Sequence, residues 1–423
     1  MEYNPRNSRY WDPAALEADM RQAFDICNGC RLCFNLCPSF PALFEAVEAH
    51  DDDPGQVTEA EMQRVADLCY QCKLCFLKCP YVPPHEFDLD FPRLMLRWRA
   101  SQTRKRGLSK ADAFLGNPEQ VGRMGGRLPG LANWGNRQPW FRAILERQMG
   151  IDRRRRLPRF APLRFSEWVR RQRIQAEVAE ADVVLFSTCT VEYHQSGIGQ
   201  ATLAILRHHQ LQVAVPEGQV CCGMPALDGG DVEAATRRAQ KNVELLWPYV
   251  QAGKPVVALQ PTCAYVLKKE YPLLLGTPEA KAVAEATRDV TEFMVSGLKS
   301  GMLKKEFVWS PGAVTYQLSC HTKAQGLATA ARTLLQEIPG TEVSVVDHCA
   351  GIDGTWGFKQ EFFDLSQKVA RRMTEQFARR RGTTPCSDCA LAGLQIAEGA
   401  GQEPLHPVEV LAQAYGVYTP ASR

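Results

Sequence analysis

Apolar residues in the N-terminal part recur at helical spacing. Phe40, Leu43, Phe44 and Val47 share one face, as do Met62, Val65 and Leu68 within Glu59 to Leu68, and Phe91 to Arg99 continues as a helix. Further along the pattern changes. Val183 to Cys189 and Val314 to Cys320 are rich in β-branched and aromatic residues and read as strands that end in a cysteine. Gln212 to Val215 and Glu342 to Val346 read as second strands leading to further cysteine groups. Long helices follow over Val232 to Val250 and Phe362 to Arg380. Such alternation predicts an α/β arrangement of parallel strands. Cysteines at the carboxyl ends of those strands stand where such sheets place ligands. Between the two regions, Gly125-Gly126, Pro129-Gly130 and Gly135-Asn136 mark turns in a connector of short helices. Pro139 opens one helix, with Trp140, Phe141, Ile144, Leu145 and Met149 on one side and Arg142 and Arg147 elsewhere.

The 423 residues are 45% apolar and 23% charged, as in a soluble globular protein of roughly two to four domains. No apolar run of about 18 residues occurs, so no transmembrane helix is expected. Met1-Glu2-Tyr3-Asn4-Pro5 has no basic leader or apolar core, so no secretory signal is expected either. A cytoplasmic location is the expectation, and there the 16 cysteines stay reduced and available to metal. Charge divides the chain. Residues 1–92 carry 7 Lys/Arg against 16 Asp/Glu, and residues 93–173 carry 21 against 5. A basic connector therefore separates two acidic parts. It is a candidate docking face, either packed on the core beside the acidic N-terminal part or lying peripherally on an anionic membrane. No nucleic-acid partner is expected.

Eight cysteines form an internal repeat. Cys27, Cys30, Cys33 and Cys37 recur as Cys69, Cys72, Cys75 and Cys79, each 42 residues on, and both copies end in Cys-Pro. This is the bacterial ferredoxin spacing, in which the fourth cysteine of each run serves the other cluster. One 4Fe-4S cluster is expected on Cys27, Cys30, Cys33 and Cys79, and another on Cys69, Cys72, Cys75 and Cys37. A zinc ribbon needs neither the third cysteine at this spacing nor the proline. The wide separation resembles the α-helical ferredoxin of succinate dehydrogenase iron-sulfur subunits and of heterodisulfide reductase C subunits.

The other eight cysteines form a looser repeat. Cys189, Cys221-Cys222-Gly223 and Cys263 make one copy. Cys320, Cys349-Ala350-Gly351, Cys386 and Cys389 make the other. Adjacent cysteines cannot comfortably chelate one ion but can serve two irons of one cluster. The pattern resembles the cysteine-rich, CCG-type domain of heterodisulfide reductase B subunits. The run Cys349-Ala350-Gly351-Ile352-Asp353-Gly354-Thr355-Trp356-Gly357-Phe358-Lys359, with Cys386-Ser387-Asp388-Cys389, His406-Pro407 and Gly150 to Pro158, resembles the family of anaerobic glycerol-3-phosphate dehydrogenase C subunits. The resemblance spans about residues 20–415.

The expected fold is therefore α+β and multidomain: an α-helical ferredoxin (1–100), a basic connector (101–178), and two α/β CCG-type lobes (179–300 and 301–423) related by internal repeat. Two departures from the family pattern matter. Val266 stands where the first copy should have its final cysteine, and Ala350 where the second should complete its pair. A five-thiolate noncubane cluster is thus in doubt, yet each lobe keeps four thiolates. One metal centre per lobe is expected, iron-sulfur in preference to zinc, with zinc left open because four thiolates also suit it. His321 and His348 flank these positions and are candidates for a supporting or spare-ligand role. His85, His208 and His209 read as loop or surface residues.

No G-x-G-x-x-G follows a strand, so no flavin or nicotinamide site is expected. The resemblance implies an electron-transfer subunit between a redox partner, a flavoprotein dehydrogenase, and a quinone or other acceptor. The alternatives are disulfide reduction at the C-terminal clusters and electron supply to a peroxide-reducing di-iron protein.

Overall fold

The computed structural model describes residues 1–420. Its N-terminal part is helical. Helix Pro13–Cys30 starts at Asp12, whose carboxylate accepts from the Ala14 amide, with proline at the first position. Ser39–Glu48 follows, then Glu59–Leu68, which opens on a capping box made by Thr58 and Glu61. Phe91–Arg106 packs across them. Phe24, Phe40, Leu43, Val65, Leu94 and Trp98 meet in one core. Buried Arg97 ties the N-terminus to it, donating to Tyr10 O (2.8 Å), Asp19 Oδ2 (2.5 Å) and Arg9 O (2.7 Å).

The connector supplies helices Lys110–Leu115, Pro118–Gly125, Pro129–Gly135 and Pro139–Met149. The last one packs only in part through its apolar side, Met149 meeting the core of Ile151, Ile352 and Phe358. Trp140 and Ile144 are 57% and 50% exposed, while Arg142 is buried. The guanidinium fork can satisfy several carbonyls at once, and Arg142 donates to Asp152 O (2.7 Å) and Arg155 O (2.8 Å). Arg155, inside a run of four arginines, is also buried. It donates to Gly357 O (2.8 Å), Ser366 Oγ (2.6 Å) and Glu398 Oε2 (2.9 Å).

The C-terminal part holds two parallel sheets. Strands β1 (Val183–Phe186), β2 (Val213–Ala214), β3 (Val256–Ala258) and β4 (Thr287–Asp289) lie in the order β2-β1-β3-β4. Strands β5 (Ala313–Gln317), β6 (Glu342–Val346) and β7 (Thr384–Ser387) lie in the order β6-β5-β7. In each sheet the first strand is central, flanked by the second and third, so the repeat is visible in the topology. In register, Phe186 pairs with Ala258, and Gln317 with Ser387. All four residues of β1 are buried, as for a parallel strand covered on both faces.

The sheets share one core, in which Leu185 and Val257 join Tyr316, Leu334 and Leu411. Helices Ser196–His208 and Pro407–Ala414 pack against each other there. The architecture is α+β and multidomain, and both central strands deliver a cysteine just past their carboxyl ends. Among the described residues no helix is long and apolar enough to cross a membrane.

Candidate metal centres

None of the sixteen cysteines is joined in a disulfide. In the N-terminal part, Cys27 and Cys30 end helix Pro13–Cys30, and Arg31 then turns the chain in the left-handed region (φ 53°). Lys73, the equivalent position in the second run, does the same (φ 63°). These turns swing successive thiols inward. Burial, followed by Cys33, Cys79 and Cys30, pushes the Cys27 thiol well up. Cys33 rises to about 11 through burial, then Cys79 and Cys30. One group thus holds Cys27, Cys30, Cys33 and Cys79. A second holds Cys69, Cys72, Cys75 and Cys37: burial and then Cys72, Cys69 and Cys37 raise Cys75. The buried Gln71 amide donates to Cys69 Sγ at 3.4 Å.

In the first lobe, Cys189, Cys221, Cys222 and Cys263 form a continuous series of thiol contacts. Hydrogen bonds from Cys189 and Cys222 pull the Cys221 thiol down, and the same contacts push those two neighbours up. Gly223 adopts φ 102°, and a Cβ there would lie 3.3 Å from the Ala235 backbone, which explains the glycine after the pair. Asn242 braces the loop, accepting from Val220 N (3.0 Å) and donating to Cys221 O (3.2 Å). Glu119, from the connector, accepts from Cys221 N at 2.7 Å and pairs with Arg238 at 3.2 Å. Neither residue carries a recognisable sequence signal.

The second lobe differs. Cys320, Cys349 and Cys389 line one cleft together with His321, His348 and Asp353. Burial first, then Asp353, Cys72, Cys389 and Cys349, raise the Cys320 thiol. Burial pushes Cys389 up to about 12. Cys386 is not brought to this cleft. It sits on β7 opposite Tyr316, wholly buried in the shared core. The strand pleat sends Ser387 to the other face, where its hydroxyl donates to Gln317 Oε1 at 2.9 Å. Sequence spacing sets Cys386 beside the other three; the pleat separates it. Val266 is fully buried in an apolar core, and Ala350 is half-buried. Gly351 (φ 65°) passes so close to Ser366 that a Cβ would meet its carbonyl oxygen at 2.4 Å.

His321 is buried, with Nδ1 3.0 Å from Thr262 Oγ1. Burial first, then Lys73, lowers it to about 3, so the imidazole is neutral. His348 is half-buried at the cleft, His208 is exposed, and His85 accepts from Phe87 N in a turn.

The groups adjoin. Cys33 acts on Cys75, joining the two ferredoxin groups. Cys349 acts on Cys37 and Cys72, and Cys72 on Cys320, joining the second ferredoxin group to the second lobe. Tyr70 and Trp356 close that junction, their rings 5.2 Å apart, and Trp356 Nε1 donates to Asp67 O at 2.9 Å. Thr262 and His321, next to Cys263 and Cys320, join the lobes. Clustered, desolvated thiols without disulfides fit soft, thiophilic centres and, above all, iron-sulfur clusters.

Comparison with known proteins agrees. Residues 20–105 match the citrate utilization protein B Fer4-like domain, and residues 183–268 and 314–392 each match the cysteine-rich domain CCG. The C subunit of anaerobic glycerol-3-phosphate dehydrogenase from Escherichia coli K12 is 30% identical over 278 residues, covering 64% of this chain and 69% of that protein. Lactate utilization protein A of Bacillus licheniformis is 32% identical over 204 residues, covering 44% of this chain and 81% of that protein. The B subunit of fumarate reductase (CoM/CoB) from Methanothermobacter marburgensis is 26% identical over 230 residues, covering 53% of this chain and 44% of that protein. With a Fer4-like domain ahead of two cysteine-rich CCG domains, the chain belongs to the family of the C subunit of anaerobic glycerol-3-phosphate dehydrogenase and is homologous to the B subunit of the CoM/CoB fumarate reductase.

Proposed function

We propose that the chain is an iron-sulfur electron-transfer subunit that passes single electrons between a flavoprotein dehydrogenase and a quinone or other acceptor. The observation that carries this reading is the succession of thiol groups: the first ferredoxin group adjoins the second, the second adjoins the second lobe, and a Thr262–His321 contact ties that lobe to the first. Bound clusters would supply one-electron redox chemistry. The chain's own residues hold the thiols in low-dielectric surroundings and bring the ferredoxin part against the second lobe at Tyr70 and Trp356. The ferredoxin ligands are proposed as Cys27, Cys30, Cys33 and Cys79, and Cys69, Cys72, Cys75 and Cys37, each set for a 4Fe-4S cluster. Cys189, Cys221, Cys222 and Cys263 are proposed for the first lobe.

The cavity beside Cys320 and Cys349 is about 50 Å³, room for a few waters. That favours transfer over reduction of a bound disulfide. The proposed place of action is the cytoplasm, peripheral at the inner membrane face. The exposed Met124, Leu128, Leu131, Trp134, Trp140 and Ile144 of the basic connector support it. The test is single turnover: the reduced, isolated protein should be reoxidised by a soluble quinone. Sustained turnover of reduced dye with a disulfide, with no second protein present, would overturn the proposal in favour of catalysis.

A further inference from the structure

The second lobe brings three thiols of its own to the cleft, Cys72 of the second ferredoxin group also lines it, and a carboxylate faces them. Atoms of Cys320, His321 and Asp353 that could ligate a metal lie within 4.8 Å of one another. Asp353 acts on Cys320, Cys349 and Cys389 alike. Its Oδ2 is buried and accepts no hydrogen bond. It also stands beside a second buried carboxylate, Asp228, one oxygen of which likewise has no partner. A carboxylate so placed costs stability unless something else satisfies it. The backbone is shaped for the encounter: Gly354 (φ 49°) passes Asp228 so closely that a Cβ would fall 2.3 Å from its Oδ2.

We infer that the Asp353 carboxylate completes the donor set of Cys320, Cys349 and Cys389, making the second lobe a mixed-ligand iron-sulfur centre unlike the all-thiolate set of the first. The inference rests on the proposed reading that this lobe holds such a centre. His321 also has a buried Nε2 without a partner, its Nδ1 meeting Thr262, but Asp353, unlike His321, acts on all three thiols. Replacing a thiolate by a harder ligand raises a cluster's potential, as histidine does in Rieske centres. The second lobe would then be an electron sink between the second ferredoxin group and the first lobe.

The test compares Cys349→Ala, Asp353→Ala, Asp353→Cys and Cys386→Ala, each prepared anaerobically, by iron and sulfide content and by paramagnetic resonance of the reduced full-length protein. Asp353→Ala should lose the same iron and the same signal as Cys349→Ala. Asp353→Cys should keep that iron, with the signal moved to lower potential, and Cys386→Ala should keep both. Thermal melting separates ligand loss from misfolding, because removing one of two facing buried carboxylates should not by itself destabilise the protein. Should Asp353→Ala keep the iron and an unchanged signal while Cys349→Ala loses them, the carboxylate is no ligand. Loss of the centre in Cys386→Ala alone would equally overturn the inference. If Cys349→Ala changes neither iron nor signal, the lobe holds no such centre, and the underlying reading fails together with the inference.

Discussion

Arg155 shows how a residue can invert its apparent role. Arg155 stands among four consecutive arginines of the basic connector, yet it is buried, enters the second lobe and holds Gly357 O, Ser366 and Glu398. Removing one partner of a buried pair typically costs about 3–5 kcal/mol. Arg155→Ala should therefore lower the melting temperature sharply, whereas Arg153→Ala, an exposed side chain, should change it little. Glycines beside the cysteines make a second prediction. At Gly351, φ 65° and the Ser366 carbonyl both oppose a side chain, while at Gly223 the nearest atom is 3.3 Å away. Gly351→Ala should deplete iron more than Gly223→Ala, measured on matched preparations. The thiols predict a pH dependence for metal-free protein. Cys33 rises from 9.0 to about 11 on folding. A raised pKa contributes stability below the unfolded value, which is lost as pH climbs through the folded one. The metal-free fold should therefore weaken between pH 9 and about 11, and iron loading should release protons. A denaturation midpoint that stays flat across that range would contradict this.

Elements differ in how far they can be read from sequence. The ferredoxin runs were legible because ligand spacing is a covalent property, repeated at an offset of 42. The strands were legible because each is a short β-branched run that ends at a cysteine. The connector was not. Its helix Pro139–Met149 has an apolar side that the sequence leaves between core and surface; the carbonyls of the 152–155 turn recruit Arg142, Met149 packs inward, and Trp140 and Ile144 stay exposed. Only the turn's position in space decides that competition. Cys386, expected with the other three thiols, lies outside the residues lining their cleft for a related reason, since the side of a pleat that a residue takes depends on where its strand begins. An exposed apolar stripe on a basic segment should bind anionic vesicles and be released by salt. Trp140→Asp with Ile144→Asp should cut vesicle binding by roughly tenfold without loss of iron. Protein that ignores such vesicles at low salt would reserve the stripe for a protein partner.

At the scale of the molecule, the ferredoxin part packs on both lobes. It meets the first through Arg93, which donates to Lys269 O (3.1 Å), and Thr103, which donates to Gly229 O (2.9 Å), and it meets the second at a junction of Tyr70 and Trp356. No sequence pattern marks that junction, because its residues lie far apart along the chain and each alone reads as an ordinary core aromatic. Three thiol groups adjoin in succession as a result, and the Thr262–His321 contact links the second lobe to the first. Trp356→Ala should loosen the junction and slow electron passage between the ferredoxin part and the lobes, while leaving iron content intact. The central claim, one continuous path for single electrons, is tested most directly by a reductive titration of the anaerobically prepared protein read by paramagnetic resonance. The account predicts about one electron per thiol group, with signals broadened by neighbouring reduced centres. Two sharp, independent signals from the ferredoxin part alone, with the lobes holding zinc or no metal, would contradict it.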